Sequence, residues 1–130
     1  MFEFDSLSDA QLRQLSPVAL AFLGDAVYEL YVRHAYLYPP KRIREYHDRT
    51  IDRVRAESQA EFLSTIEPEL TDAELEIVRR GRNGAGRAPK RLNPQVYKQA
   101  TGLETLVGYL YLRDRHRLQQ LLAKMAIATD

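Results

Sequence analysis

Two apolar runs of helical length, each interrupted by one carboxylate, constrain this sequence more than any other feature. From Gln14 to Tyr28 the only charged residue is Asp25, and from Gln99 to Leu112 it is Glu104. A charge in an apolar helix costs several kcal/mol unless it is paired, hydrogen-bonded or bound to a metal. The fold must therefore bring each carboxylate to a group that compensates it.

Glycines beside the two carboxylates indicate where these helices meet. Gly24 precedes Asp25, and Gly102 and Gly108 flank Glu104. Glycine within a helix costs roughly 0.5–1 kcal/mol relative to alanine, so its use there suggests a close approach of backbones. If the helices cross at these glycines, the two carboxylates meet and raise each other's pKa unless a cation lies between them. A hard divalent cation, above all Mg²⁺, would bind there with oxygen ligands and retained waters.

A second interpretation needs no metal. A lone acid in a helix is often neutralised by an arginine from elsewhere in the fold, and Arg33 and Arg113 are the candidates. The spacing alone leaves both interpretations open. The chain has no cysteine and its three histidines are far apart in sequence, so neither a thiolate metal site nor a zinc site is expected.

Length and composition predict a single domain over residues 1–130. Hydrophobic residues make up 45% and charged residues 28% of the 130, which is typical of globular chains. The acidic start does not resemble a signal peptide, and the apolar run from Pro17 to Tyr28 is too short to span a bilayer. We expect a cytoplasmic protein with no membrane partner.

Capping signals and apolar spacing predict an all-α fold. Ser8 and Thr71 begin capping boxes, and Ser16 with Pro17 begins a helix that should end near Tyr36. One long helix is expected at about 41–65, another should end near Gly81, and two more should cover about 95–112 and 114–126. The segment at about 80–94, which joins the helix ending near Gly81 to the helix at about 95–112, is rich in Gly, Pro and Asn and is predicted to be a loop.

Positive charge is concentrated around that loop. Residues 79–98 contain no acid and seven basic residues, namely Arg79, Arg80, Arg82, Arg87, Lys90, Arg91 and Lys98. Because the whole chain has a net charge of +1, the remaining residues together carry −6. These seven residues are candidates for contact with a nucleic-acid backbone, although they could also only offset the acidic remainder.

Several ordered motifs resemble one enzyme family. The segment "FLGDAV" (22–27) is similar to the signature helix of the ribonuclease III catalytic domain, and "TGLETLVGYLYL" (101–112) to its second acidic helix. With "YVRHA" and "RRGRN" between them, the match over about residues 4–125 resembles the Mini-ribonuclease III branch. That branch lacks the double-stranded-RNA-binding domain of the larger members.

The resemblance implies a ribonuclease III-like helical homodimer that cleaves double-stranded RNA with Mg²⁺. Asp25 and Glu104 match the metal-binding catalytic carboxylates, and the products would carry 5′-phosphate and 3′-hydroxyl ends. The branch implies maturation of the large-subunit (23S) ribosomal RNA precursor, with ribosomal proteins as further partners. The seven basic residues would hold the RNA in place of the missing domain.

The match is incomplete at three acidic positions of the family. Val18 and Ala21 stand where larger members have glutamates, and Thr101 stands where they have an aspartate. Only two carboxylates remain, so Mg²⁺ should keep more waters until an RNA phosphate completes its coordination. The competing hypotheses are a non-catalytic RNA-binding or ribosome-assembly module, and a structural helical dimer in which arginines neutralise both acids.

Overall fold

The computed structural model describes residues 6–125, and the part it describes is helical with no strand. The predicted all-α class is therefore confirmed. A 3₁₀ helix, Glu67–Glu69, lies between the fourth and fifth α-helices. In chain order the α-helices are α1 (Asp9–Arg13), α2 (Pro17–Tyr36), α3 (Ile43–Val54), α4 (Ala56–Ile66), α5 (Asp72–Gly84), α6 (Pro94–Arg113) and α7 (Arg115–Leu122).

The helix starts follow the capping signals. Both capping boxes form: the Ser8 and Thr71 hydroxyls accept from the backbone N–H groups of Gln11 and Glu74, and those side chains accept in return. Ser16 caps α2 by accepting from the backbone N–H of Ala19. These local hydrogen bonds fix where α1, α2 and α5 begin, as the sequence predicts.

Helix α6 is the centre of the molecule and packs against α2, α4, α5 and α7. Its inner side chains, including Leu103, Leu106 and Val107, are almost fully buried. Tyr28 and Val32 of α2 are completely buried against the same core. Burial of these apolar side chains supplies the main driving force for the arrangement.

The backbones of α2 and α6 touch at two glycines. A Cβ on Gly24 would lie 1.8 Å from the carbonyl oxygen of Glu104, and one on Gly108 would lie 1.9 Å from that of Leu20. Any side chain at either position would push the helices apart. The close approach that these glycines predict is present, whereas Gly102 faces α5, where its Cβ would lie 3.0 Å from the Val78 carbonyl oxygen.

The prediction of a single long helix at about 41–65 is wrong. The chain breaks at Arg55, whose ψ of 157° is extended, and α3 and α4 are separate helices. Side chains of α4 satisfy carbonyls freed at the break: the Ser58 hydroxyl donates to the Asp52 oxygen (2.6 Å). Ile43, the first residue of α3, is 82% exposed and lies outside the core.

Helix α5 runs three residues beyond its expected end at Gly81. The segment without helical hydrogen bonding is therefore 85–93, shorter than the expected loop at about 80–94. Arg79, Arg80 and Arg82 consequently lie on a helix. Helix α6 begins at Pro94, where the Asn93 side chain accepts from the backbone N–H groups of Gln95 and Val96.

A partly buried ion pair joins α7 to the start of α5. Arg117 donates to Glu74 at 2.8 and 2.9 Å and to the backbone carbonyl of Glu69. The hydrogen bond from Arg117 holds the pKa of Glu74 below its usual range. None of the helices within residues 6–125 is long and apolar enough to cross a bilayer.

Candidate active site

The crossing of α2 and α6 brings Asp25 and Glu104 within hydrogen-bonding distance of each other. Gly24, next to Asp25, lies directly against the backbone of Glu104. The close approach of the two helices at this glycine therefore also brings the two carboxyls together. The sequence predicts this juxtaposition, and the structure places both side chains at one point.

Burial and crowding perturb the Glu104 carboxyl strongly. Burial is the largest cause that raises its pKa, followed by the hydrogen bond and the negative charge of Asp25, and together they raise it to about 8. The Gln59 amide opposes them by donating to the carboxylate. A carboxyl in this state gains strongly from a nearby cation.

Asp25 differs from the expectation of an acid embedded in apolar surroundings. Its residue is exposed, as is Ala26, whereas Glu104 is the partly buried member of the pair. The reason is that α2 buries one side against α6 and leaves an apolar face outward, on which Phe22 is 83% exposed. The apolar residues near Asp25 in sequence therefore do not all surround it in space, and the site is open on that side.

The two arginines considered as neutralising partners lie elsewhere. Arg33 pairs with Glu29 at 2.8 Å, one turn along α2. Arg113 pairs with Asp9 of α1. Neither ion pair involves Asp25 or Glu104, so these arginines do not supply the compensation that the sequence requires.

Gln59 is the site residue that sequence reasoning missed. Its amide nitrogen donates to the Glu104 carboxylate (3.4 Å) and to the backbone oxygen of Val54 (3.0 Å). One signal was available: Gln59 occupies a core-facing position of α4, in register with Phe62, Leu63 and Ile66. A polar residue at such a position predicts a buried hydrogen-bond partner.

Tyr28 lies behind the carboxylates in the core. Burial raises the pKa of its hydroxyl to about 12; the positive charge of Arg53 opposes this rise, and the negative charge of Glu104 adds to it. The hydroxyl is buried and makes no hydrogen bond within the described part of the chain. Burial of the site on this side strengthens the electrostatic interactions of Glu104.

The basic residues divide between two helices and the segment joining them. Arg87, Lys90 and Arg91 lie in 85–93 and are exposed, as are Arg79 and Arg80 on α5 and Lys98 on α6. Arg79 pairs with Glu76 of the same helix, and Arg82 donates to Gln99 of α6 (3.2 Å). Most of the positive charge is therefore available at the surface.

The carboxylate oxygens of Asp25 and Glu104 suit a hard cation. Carboxylate oxygens are the ligands that Mg²⁺ prefers, and the exposed side of Asp25 leaves room for waters or a phosphate oxygen. Within residues 6–125 no cluster of three or more His, Cys, Asp or Glu side chains is arranged to hold a metal. Asp25 and Glu104 would therefore have to hold the ion with help from water and substrate.

Comparison with known proteins places this site in a family. The family model for the ribonuclease III domain matches residues 18–115, which include both carboxylates. The chain belongs to the ribonuclease III family. Its relatives include Mini-ribonuclease 3 of Synechocystis, 61% identical over 86% of this chain and 78% of that protein. Mini-ribonuclease 3 of Synechococcus is 56% identical over 93% of this chain and 88% of the relative.

A solved structure has the same fold. The crystal structure of a Fusobacterium nucleatum protein matches with a TM-score of 0.80 and 29% identity, covering 85% of this chain and 93% of that one. These findings confirm the predicted resemblance to the Mini-ribonuclease III branch of the ribonuclease III family. They also confirm the predicted enzyme class, an endoribonuclease.

Proposed function

We propose that this ribonuclease III-family enzyme hydrolyses double-stranded RNA with Mg²⁺ held by Asp25 and Glu104. The observation that carries the proposal is the meeting of these two carboxyls in a partly buried site, where burial first and then the contact with Asp25 raise the pKa of Glu104 to about 8. Such a pair is costly unless a cation joins it, and the two candidate arginines, Arg33 and Arg113, pair with other carboxylates. Bound Mg²⁺ would activate water and stabilise the charge that develops at phosphorus and on the leaving oxygen.

The chain's own groups would prepare the site for this reaction. Asp25 is the exposed member of the pair and would meet the substrate first, whereas Glu104 is partly buried. Gln59 restrains the Glu104 carboxylate through its amide N–H. Hydrolysis at this site would leave a 5′-phosphate on one fragment and a 3′-hydroxyl on the other.

The seven basic residues would bind the RNA. Double-stranded RNA is recognised by its shape, phosphates and 2′-hydroxyls, and exposed cations suit the first two. Arg87, Lys90 and Arg91 are exposed in 85–93, outside the helices, while Arg79, Arg80 and Arg82 lie on α5 and Lys98 lies on α6. The natural substrate proposed is the large-subunit ribosomal RNA precursor in the cytoplasm, where ribosomal proteins would be neighbours.

A homodimer would place two sites on one duplex. Val18, Phe22 and Leu30 are 55%, 83% and 44% exposed and recur at multiples of four residues along α2, so they share one face with Ala26. An exposed apolar stripe of this kind marks an interface. Asp25 borders the stripe, so pairing of two α2 helices would bring the carboxylate pairs of both protomers to one surface.

The test compares an RNA duplex, its separate strands and the DNA duplex of the same sequence, each with Mg²⁺. We expect cutting of the RNA duplex alone, with products that accept ligation at a 5′-phosphate and extension at a 3′-hydroxyl. Salt-dependent binding of the duplex with no Mg²⁺-dependent product would instead support the non-catalytic RNA-binding module. A precursor transcript of large-subunit RNA, cut at discrete sites near the mature ends, would support the proposed substrate.

A further inference from the structure

We infer that Gln59 is a positioning residue that orients the Glu104 carboxylate for the cation while leaving its charge intact. This inference rests on the proposed function, since it concerns the residues that would hold Mg²⁺. It adds a residue from α4 to a site otherwise built from α2 and α6.

The location of Gln59 is the first support. Helix α4 buries four side chains, and Gln59 is the polar one among Phe62, Leu63 and Ile66. It is 2% exposed. Burying an amide is costly unless its polar atoms find partners, so a leucine or methionine would be the default residue at this position.

The hydrogen bonds of Gln59 fix its orientation. One amide N–H donates to the Val54 oxygen at 3.0 Å, a carbonyl freed because α3 ends at the Arg55 break. The same nitrogen donates to Oε2 of Glu104 at 3.4 Å. Because the carbonyl is an acceptor and the ionised carboxylate accepts as well, the nitrogen of the amide must face them. The break between α3 and α4 thus provides the anchor from which Gln59 reaches Glu104.

The neutrality of the amide is the second support. Lysine or arginine at this position would neutralise Glu104 and compete with a bound cation. Gln59 engages Oε2 with a dipole only, so it adds no positive charge that would compete with a metal for the two carboxyls. The Gln59 amide can therefore orient the Glu104 carboxylate without taking the place of a cation.

The test measures Mn²⁺ binding to the full chain without RNA, by electron paramagnetic resonance and by calorimetry. Gln59→Met keeps the length and volume of the side chain but removes its donors, and we expect about tenfold weaker Mn²⁺ binding. In cleavage assays at saturating RNA, the Mg²⁺ concentration for half-maximal rate should rise by about the same factor. KM for RNA at saturating Mg²⁺ should not change.

The matched control is Ser58→Ala. It removes the other side-chain hydrogen bond to the same break, from Ser58 to the Asp52 oxygen, without touching Glu104. This variant should be destabilised in a thermal melt but bind Mn²⁺ like the wild type. Gln59→Leu serves as the second variant if Gln59→Met does not fold.

The outcomes separate this inference from the proposed function. If the wild type binds Mn²⁺ and Asp25→Asn does not, the carboxylate site stands; equal affinity of Gln59→Met and Ser58→Ala would then overturn the role of Gln59 alone. If the wild type and Asp25→Asn give the same Mn²⁺ signal, the proposed metal site fails and the role of Gln59 fails with it.

Discussion

The ionised form of the Glu104 carboxyl is strongly disfavoured in the folded protein. Glu104 is anchored on the central helix, partly buried, and faced by a second carboxyl. Burial and Asp25 both favour its protonated form, whereas the Gln59 amide favours the charged form. The fold tolerates this arrangement because the packing of α2 against α6, closest at Gly24 and Gly108, stabilises the crossing that creates it.

The raised pKa of Glu104 makes the metal-free protein less stable as pH rises. The carboxyl has a pKa of about 8 when folded and an ordinary value of 4.5 when unfolded, so between these values the folded state holds more protons. Stabilisation by the protonated group is complete below pH 4.5 and is lost as pH rises through about 8. In chelator, melting temperature should fall over this window more steeply in the wild type than in Glu104→Gln.

Added Mg²⁺ provides the control for this titration. It should raise the melting temperature of the wild type most at the alkaline end of the window and leave Glu104→Gln nearly unchanged. Parallel melting curves for the two proteins in chelator would show that Glu104 does not titrate in this range.

At the residue scale, the carboxylate pair could be predicted from the sequence, but the exposure of Asp25 and the hydrogen bond from Gln59 could not. Isolated acids and adjacent glycines are local signals, so they identify Asp25 and Glu104 and the crossing between them. The exposure of Asp25 depends on which side of α2 meets α6, and the role of Gln59 depends on a contact 45 residues away in sequence. Such facts follow from tertiary packing.

Among the helices, starts were easier to predict than interruptions. The Ser8, Ser16 and Thr71 caps act through hydrogen bonds within three residues, so sequence reveals them. The break at Arg55 has no glycine or proline; side chains of Ser58 and Gln59 satisfy the carbonyls it frees, and the second of these is held by Glu104 of α6. The boundary between α3 and α4 is therefore linked to the site, because Gln59 contacts both the Val54 carbonyl at the boundary and the Glu104 carboxylate.

The 85–93 segment should contribute RNA affinity and its salt dependence. Replacing Arg87, Lys90 and Arg91 with alanine removes three exposed charges from a segment without helical structure. Apparent KM for duplex RNA should rise several-fold, and the slope of log affinity against log salt should decrease by about 2–3. A salt titration of binding measures both.

Three exposed cations outside this region form the matched control. Alanine at Arg42, Arg44 and Lys124 removes the same net charge and should change the salt slope less. Equal slopes for the two triple variants would place the RNA contact elsewhere on the surface.

Over the whole molecule, the exposed face of α2 is the feature that a monomer does not explain. Phe22 at 83% exposure is the most exposed of its apolar residues. Phe22→Glu should convert a dimer into a monomer at micromolar concentration, because an unpaired charge would enter the interface of both protomers. Sedimentation velocity gives the result directly.

Ile43→Glu is the control for this change. Ile43 is 82% exposed but lies on α3 and is not part of the stripe formed by Val18, Phe22 and Leu30 on α2, so its substitution should leave the oligomeric state unaltered. A wild type that sediments as a monomer would contradict the proposed dimer.

The most direct measurement compares wild type, Asp25→Asn and Glu104→Gln on a long RNA duplex, with Mg²⁺ and with chelator. We predict Mg²⁺-dependent cutting by the wild type, a loss of about 100-fold or more in both variants, and duplex binding that all three proteins retain. Cutting that persists in both variants at the wild-type rate would contradict the assignment of catalysis to the carboxylate pair at the crossing of α2 and α6.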